Sequence, residues 1–338
     1  MSGAASNPPI RIWCAFYRQI TAQPLLRDYR SLLTDAERAQ EQRFYFADDR
    51  HRYLVTRALV RTVLAEETGS AIAPEQWRFV ADEHGRPRIA NEDPGANVLS
   101  FNISHTKGLV ILGVTKSRAL GVDVENARDR EPNLEIADRY FTGYEVEALS
   151  ALPAPERSRR FFEYWTLKES YMKARGLGLA VPLHDFGFRW SSGSPLQLHI
   201  EARQQDRPER WMLWQVEIRD DYIAAVCAER GPHPDSDPVL LDVVPLRSRT
   251  QLACRPLRAS PQAANPTLFA AGSEVEVRKS GASPQAANPT LFAAGSEVEV
   301  RKSGASPQAA KTTFFAAGNE VDVRKSGAAD FCPIKKDS

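Results

Sequence analysis

Cysteine is scarce and scattered: four in 338 residues, at Cys14, Cys227, Cys254 and Cys332, with no CxxC pair. That usage argues against a thiolate metal cluster and a dense disulfide framework, and it points to a reducing compartment. Net charge is almost absent too, at a formal +1, so no bulk field draws the chain to nucleic acid or an anionic membrane. Anion binding, if any, must come from local clusters. No apolar run approaches the ~20 residues that span a bilayer. Met1 to Ile10 lacks the basic-then-apolar order of a secretory signal,. These absences predict a cytoplasmic protein with no nucleic-acid or membrane partner.

What is present reads as globular. Apolar content of 42% with 26% charged residues is that of a folded domain, and the length allows two modest domains or one with an extension,. Arg11 to Tyr17 alternates as a first strand. Thr34 and Glu37 have capping-box spacing. A helix is predicted over Asp48–Thr68, closed by Gly69. Short strands follow at Trp77–Val80, Arg86–Ile89, Val98–Ser104 and Leu109–Val114,.

The second half repeats this order. After Gly121-Val122-Asp123-Val124-Glu125 comes a helical region, Ile136–Leu152, ended by Pro153. A helix over Phe161–Arg175, stopped by Gly176, is next. Strands are predicted at Phe186–Trp190, Leu196–Glu201, Trp211–Ile218 and Tyr222–Ala228. One long helix and then four short strands, twice over, predicts an α+β fold of two similar subdomains, 1–118 and 119–230. A Gly/Pro-rich linker and an apolar docking run occupy 231–258. Tandem copies of a 23-residue unit fill 259–327: Ala259–Gly281 and Ala282–Gly304 are identical, and Ala305–Gly327 is diverged. Each copy has too few apolar residues to offset the entropy of ordering it, so the repeats and the last stretch, 328–338, are expected to be a disordered tail.

The chemistry concentrates at one helix. Phe161, Trp165, Glu169 and Met172 recur at offsets of four, four and three and share a side,. Glu169 therefore puts a carboxylate into an aromatic stripe, with Lys168 and Lys173 flanking it. Asp123 and Glu125 lie two apart and share one face of a strand, with Val122 and Val124 on the other. Three hard oxygen donors suit Mg²⁺, above all when phosphates supply the remaining ligands. Ser104, His105, Arg52 and Arg86 are further anion-binding candidates. The bland alternative is a half-exposed strand, a solvated helix face and ordinary surface charges.

The ordered set decides between the two. FNISHT at 101–106, GVDVE at 121–125 and FFEYWTLKESYMKARGLGL at 161–179 resemble the 4′-phosphopantetheinyl transferases of the larger, monomeric, surfactin-synthetase-activating type. RFYFADDRHRYL at 43–54 and EHGRPRI at 83–89 extend the resemblance over Ile10 to Leu246,. It implies a pseudo-twofold pair of α+β subdomains with coenzyme A between them. It also implies transfer of the 4′-phosphopantetheine arm to a serine of an acyl or peptidyl carrier protein, by a cytoplasmic monomer. On the matching positions Asp123, Glu125 and Glu169 would bind Mg²⁺. Lys168, Lys173, Ser104 and His105 would meet the pyrophosphate. Arg52 would meet the 3′-phosphate, and Arg86 the adenine nucleotide end. Glu169, Lys173 and His105 would be the catalytic groups, with either Glu169 or a metal-bound water taking the serine proton. The stretch from Gly176 to Leu183 would face the carrier. Three positions depart from the family pattern: Glu37 and Gln40 stand where some members have lysines, and Tyr53 stands where a threonine can hold phosphate. Thr106 in place of Ser keeps the hydroxyl. The rival readings are another Mg²⁺-dependent phosphate enzyme, such as a phosphodiesterase, and an inactive carrier-binding relative.

Overall fold

The computed structural model of the protein describes residues 7–82, 85–128, 132, 134–177 and 182–261, all within one compact unit. Beyond residues 259–261 the repeats lie outside the described residues. Strand β1 (Arg11–Ala15) is followed by helices α1 (Gln23–Leu32), α2 (Asp35–Arg43) and α3 (Ala47–Glu67). The ribbon β2 (Phe79–Ala81) and β3 (Pro87–Ile89) and the single turn α4 (Pro94–Asn97) lead to β4 (Leu99–Thr106) and β5 (Leu109–Lys116). Strand β6 (Leu120–Asn126) opens the second half, with α5 (Glu135–Tyr140), α6 (Gly143–Ser150) and α7 (Ala154–Arg175) after it. Then come β7 (Phe186–Arg189), β8 (Gln197–Ile200), β9 (Trp211–Ile218) and β10 (Tyr222–Glu229). The described chain ends with β11 (Val239–Val244), β12 (Ser248–Gln251) and β13 (Arg255–Ala259).

The strands make two main sheets, in the orders β12-β11-β1-β5-β4 and β13-β9-β10-β6. At the heart of each are three antiparallel strands, β4-β5-β1 in one and β6-β10-β9 in the other. Side-chain alternation sorts the core. Leu109 and Ile111 of β5 join Val122, Val124, Trp214 and Val226 in a buried cluster between the sheets. Val110 and Leu112, one residue out of phase, pack with Leu54, Ala58 and Leu59 of α3. On the far side Ile223 and Ala225 pack with Leu167 and Tyr171 of α7. The layers are therefore helix, sheet, sheet, helix, and each sheet is covered on both faces. The doubled α+β organisation expected from the sequence is present.

Three expectations are corrected. The helical region 136–152 is two helices, broken at Phe141, because Thr142 starts a new one with a capping box to Glu145,. Helix α7 begins at Ala154, on Pro153, and not at Phe161. The segment 231–258 does more than link and dock: β11 lies parallel to β1, β12 pairs with β11, and β13 joins β9 in the other sheet.

Candidate active site

The two sheets meet along β4 and β6, which lie side by side as edge strands of separate sheets. The β6 amides on this edge go to side chains. Val122 N donates to Asn102 Oδ1 at 2.8 Å, Val124 N to Ser104 Oγ at 3.3 Å, and Asn126 N to Thr106 Oγ1 at 3.3 Å. The other flank of β6 pairs with β10, and one face of β6 carries α7. A Cβ on Gly121 would lie 2.0 Å from Ser170 O and 2.4 Å from Ala174 N. Only glycine lets the helix backbone come this near. That approach brings the Glu169–Lys173 turn of α7 against Asp123 and Glu125, which alternate with Gly121 along the strand.

Asp123, Glu125 and Glu169 are all buried. Lys173 Nζ donates to Asp123 Oδ1 at 2.7 Å and to Val122 O at 3.2 Å. Ser104 Oγ donates to the same Oδ1 at 2.8 Å. Asp123 Oδ2 is buried with no hydrogen-bond partner. Thr106 Oγ1 donates to Glu125 Oε2 at 3.4 Å. Burial pushes the pKa of Glu169 up to about 8; Lys173 opposes the shift, and Asp123 and Glu125 add to it,. Lys173 is held charged: burial works against it, and the Asp123 and Glu169 carboxylates outweigh that. His105, near the end of β4, is neutral. Burial first, then the Arg52 and Lys173 charges, pull its pKa down to about 3. Arg52 pairs with Asp49 at 2.9 Å through Nη1, while its Nε is buried without a partner.

Asp123, Glu125, Glu169, Lys173, Ser104, His105 and Arg52 are thus brought to one place. As it stands, no three acidic, imidazole or thiol groups among the described residues are gathered tightly enough to hold a metal ion. The donor chemistry still fits a hard divalent cation. Asp123 has a free, buried oxygen, and the Asp123 and Glu125 carboxylates raise the proton affinity of Glu169 where a cation would lower it,.

Other candidates are placed elsewhere. Lys168 is 0% exposed and points away from Glu169. Its ammonium pairs with Glu145 at 2.9 Å and donates to Leu183 O and Phe186 O, so all three protons are committed,. It is no phosphate contact in this arrangement. Arg86 spends its guanidinium on Lys173 O (2.7 Å), Leu120 O (2.9 Å) and Phe101 O (3.3 Å), which ties α7 to β4 and β6. Tyr53 packs on Phe44 in the core. Leu177 is exposed and Leu183 buried, and 178–181 lie outside the described residues. Sequence reasoning assigns no role to Gly121 or Asn102 and notes Thr106 only for keeping a hydroxyl. A signal existed for the last two, since polar residues at every second position of a strand with a buried opposite face demand partners.

Comparison with known proteins accounts for this layout. Residues 119–227 match the profile of the 4′-phosphopantetheinyl transferase superfamily, and residues 22–117 match that of the 4′-phosphopantetheinyl transferase N-terminal domain. The chain belongs to the 4′-phosphopantetheinyl transferase superfamily. The transferase HetI of Nostoc sp. is 32% identical over 201 residues, which is 60% of this chain and 80% of that protein. The transferase Sfp of Bacillus subtilis is 32% identical over 207 residues, 61% of this chain and 85% of that one. This phosphopantetheinyl transferase is therefore an enzyme that moves the 4′-phosphopantetheine arm of coenzyme A to a carrier protein. None of its helices among the described residues is long and apolar enough to cross a membrane.

Proposed function

We propose that the β4–β6–α7 site binds coenzyme A by its phosphates. From there the transferase passes the phosphopantetheine arm to a serine of an acyl or peptidyl carrier protein, releasing adenosine 3′,5′-bisphosphate. The observation that carries this reading is the convergence of Asp123, Glu125 and Glu169 with Lys173, His105 and Arg52. Acid alone would repel a pyrophosphate, and base alone would bind it without catalysis. Asp123, Glu125 and Glu169 would hold Mg²⁺. When bound, the ion supplies positive charge against the pyrophosphate oxygens and the leaving bisphosphate. Lys173 donates to the same oxygens from a half-dry position, where a donor counts for more than in water. His105 stands beside them and can donate a ring N–H to the pyrophosphate even as a neutral imidazole,. Arg52, with Nε unpaired, would take a further phosphate. Glu169, or a water beside it, would take the proton of the carrier serine as its oxygen attacks the β-phosphorus of coenzyme A and the bond to the bisphosphate breaks. Exposed Leu177, just past α7, supports entry of the carrier from that side. The protein works as a cytoplasmic monomer in this reading.

The test is a mass shift. Incubated with coenzyme A, Mg²⁺ and this protein, an apo carrier should gain the mass of the arm. Glu169→Gln and Asp123→Ala should lower the rate at least ~100-fold with an unchanged circular-dichroism spectrum. Absence of a shift on any of several acyl and peptidyl carriers overturns the reading. Full transfer by either variant removes that residue from the site.

A further inference from the structure

The β4–β6 junction has a chemistry of its own. Its three polar side chains, Asn102, Ser104 and Thr106, occupy alternate positions of β4, and each accepts one β6 amide. They differ in what stands opposite. Where β6 presents Gly121, β4 has an amide side chain, which accepts and goes no further. Where β6 presents Asp123 and Glu125, β4 has hydroxyls, which accept an amide and also donate: Ser104 to Asp123 at 2.8 Å, Thr106 to Glu125 at 3.4 Å. A hydroxyl has one proton to give. In both cases it is spent on a carboxylate and is not available to a phosphate. On Asp123 the consequence is directional. Ser104 and Lys173 both hold Oδ1, so Oδ2 is the oxygen left to a ligand.

We infer that Asn102, Ser104 and Thr106 are positioning residues that replace the missing backbone ladder between the two sheets and fix the orientation of the Asp123 and Glu125 carboxylates. This rests on the reading of those carboxylates as Mg²⁺ ligands. It replaces the expected coenzyme A contact of Ser104 and gives Thr106 a role beyond keeping a hydroxyl. Groups that orient ligand carboxylates govern metal affinity, and their loss weakens it about 10- to 100-fold.

The experiment uses the full chain, with Ser104→Ala and Thr106→Val removing the hydroxyls and Thr106→Ser retaining one. Amide hydrogen exchange at Val124 and Asn126 reports the junction. Mn²⁺ binding, followed by electron paramagnetic resonance of the free ion, reports the carboxylates. Ser104→Ala should speed exchange at Val124 and raise the Mn²⁺ Kd about tenfold, with the KM for coenzyme A at saturating Mg²⁺ unchanged. Thr106→Val should speed exchange at Asn126 and raise the Kd less, and Thr106→Ser should change neither. An unchanged Val124 amide and an unchanged Mn²⁺ Kd in Ser104→Ala overturn the inference. So does a raised KM for coenzyme A with unchanged Mn²⁺ binding, which returns the hydroxyl to the phosphates. A wild-type protein that binds no Mn²⁺ overturns the metal reading instead, and exchange at Val124 and Asn126 then decides the positioning role alone.

Discussion

Glu37 sits buried between two arginines. It pairs with Arg57 and, at 2.7 Å, with Arg61, and it also closes the capping box on Thr34. Burial alone would raise its pKa; Arg57, the Thr34 amide and Arg61 outweigh that and hold it below the ordinary 4.5. The sign follows. A carboxyl depressed in the folded state contributes stability that is complete above the unfolded value and is lost as pH falls through the folded one. Glu37→Gln should therefore cost about 3 kcal/mol at pH 7, since it strands buried Arg61, and the gap to wild type should narrow below pH ~4. Urea titrations of both proteins at pH 7 and in acid check this; a gap that stays constant rules out the ion pair as the cause. So Glu37 interrupts no phosphate site, because it faces α3. The same lesson holds at α7. Lys168 and Lys173 both flank Glu169 in sequence, but they are about 140° apart around a helix, and only Lys173, at i+4, shares its face. Helical geometry could have separated them. What it could not supply was the partner waiting for Lys168, Glu145, which is over twenty residues away in the chain.

Helix α7 and strand β6 form the element pair on which the site depends. Both were legible. GVDVE alternates as a strand, and α7 ends on Gly176 at φ 71° as a glycine stop should,. Their separation was not legible, and Gly121 sets it. Gly121→Ala must push α7 off β6, because the clashing atoms are backbone and cannot rotate away. We expect a loss of about 2–3 kcal/mol in stability and a fall in kcat out of proportion to it, measured on the fraction folded by urea midpoint and carrier mass shift. Wild-type kcat in a destabilised variant would show that the Glu169 turn tolerates displacement. The two edge strands missed in the sequence share a physical cause. Strand β12 is exposed along its whole length, and β13 carries a proline and two arginines. Both are sheet edges, where charge and proline are favoured and apolar alternation fades. The break between α5 and α6 was signalled by Thr142 and Glu145, but the apolar periodicity running across it hid the cap.

Among the described residues, the halves of the molecule are joined chiefly by the inter-sheet core, the β4–β6 junction, the Arg86 guanidinium and the final strands. The last of these is the least expected. After β10 the chain returns to the first sheet as β11 and β12, then crosses to the second as β13. Arg255 pairs with Glu217, and Arg258 reaches Glu163 at 3.2 Å. The anchoring runs past the strand. Leu196 N donates to Ala259 O, Ser260 N to Leu213 O and Arg230 Nη2 to Pro261 O, at 2.8–2.9 Å. The first three residues of the first repeat thus belong to the folded body, and a cut that tests the repeats must fall after Pro261 and not at Ala259. A chain of residues 1–261 should melt with the full protein and transfer the arm within about twofold of its rate, since it removes no described contact. A chain of residues 1–238 should not fold. It strips β1 of its parallel neighbour and both sheets of an edge, exposing core around Leu240 and Trp214. Melting by circular dichroism and the carrier mass shift read both. Lost transfer in 1–261 at an unchanged melting temperature would assign the repeats a part in recognising the carrier. A folded, active 1–238 would mean that the inter-sheet core and the β4–β6 junction hold the halves without a strap.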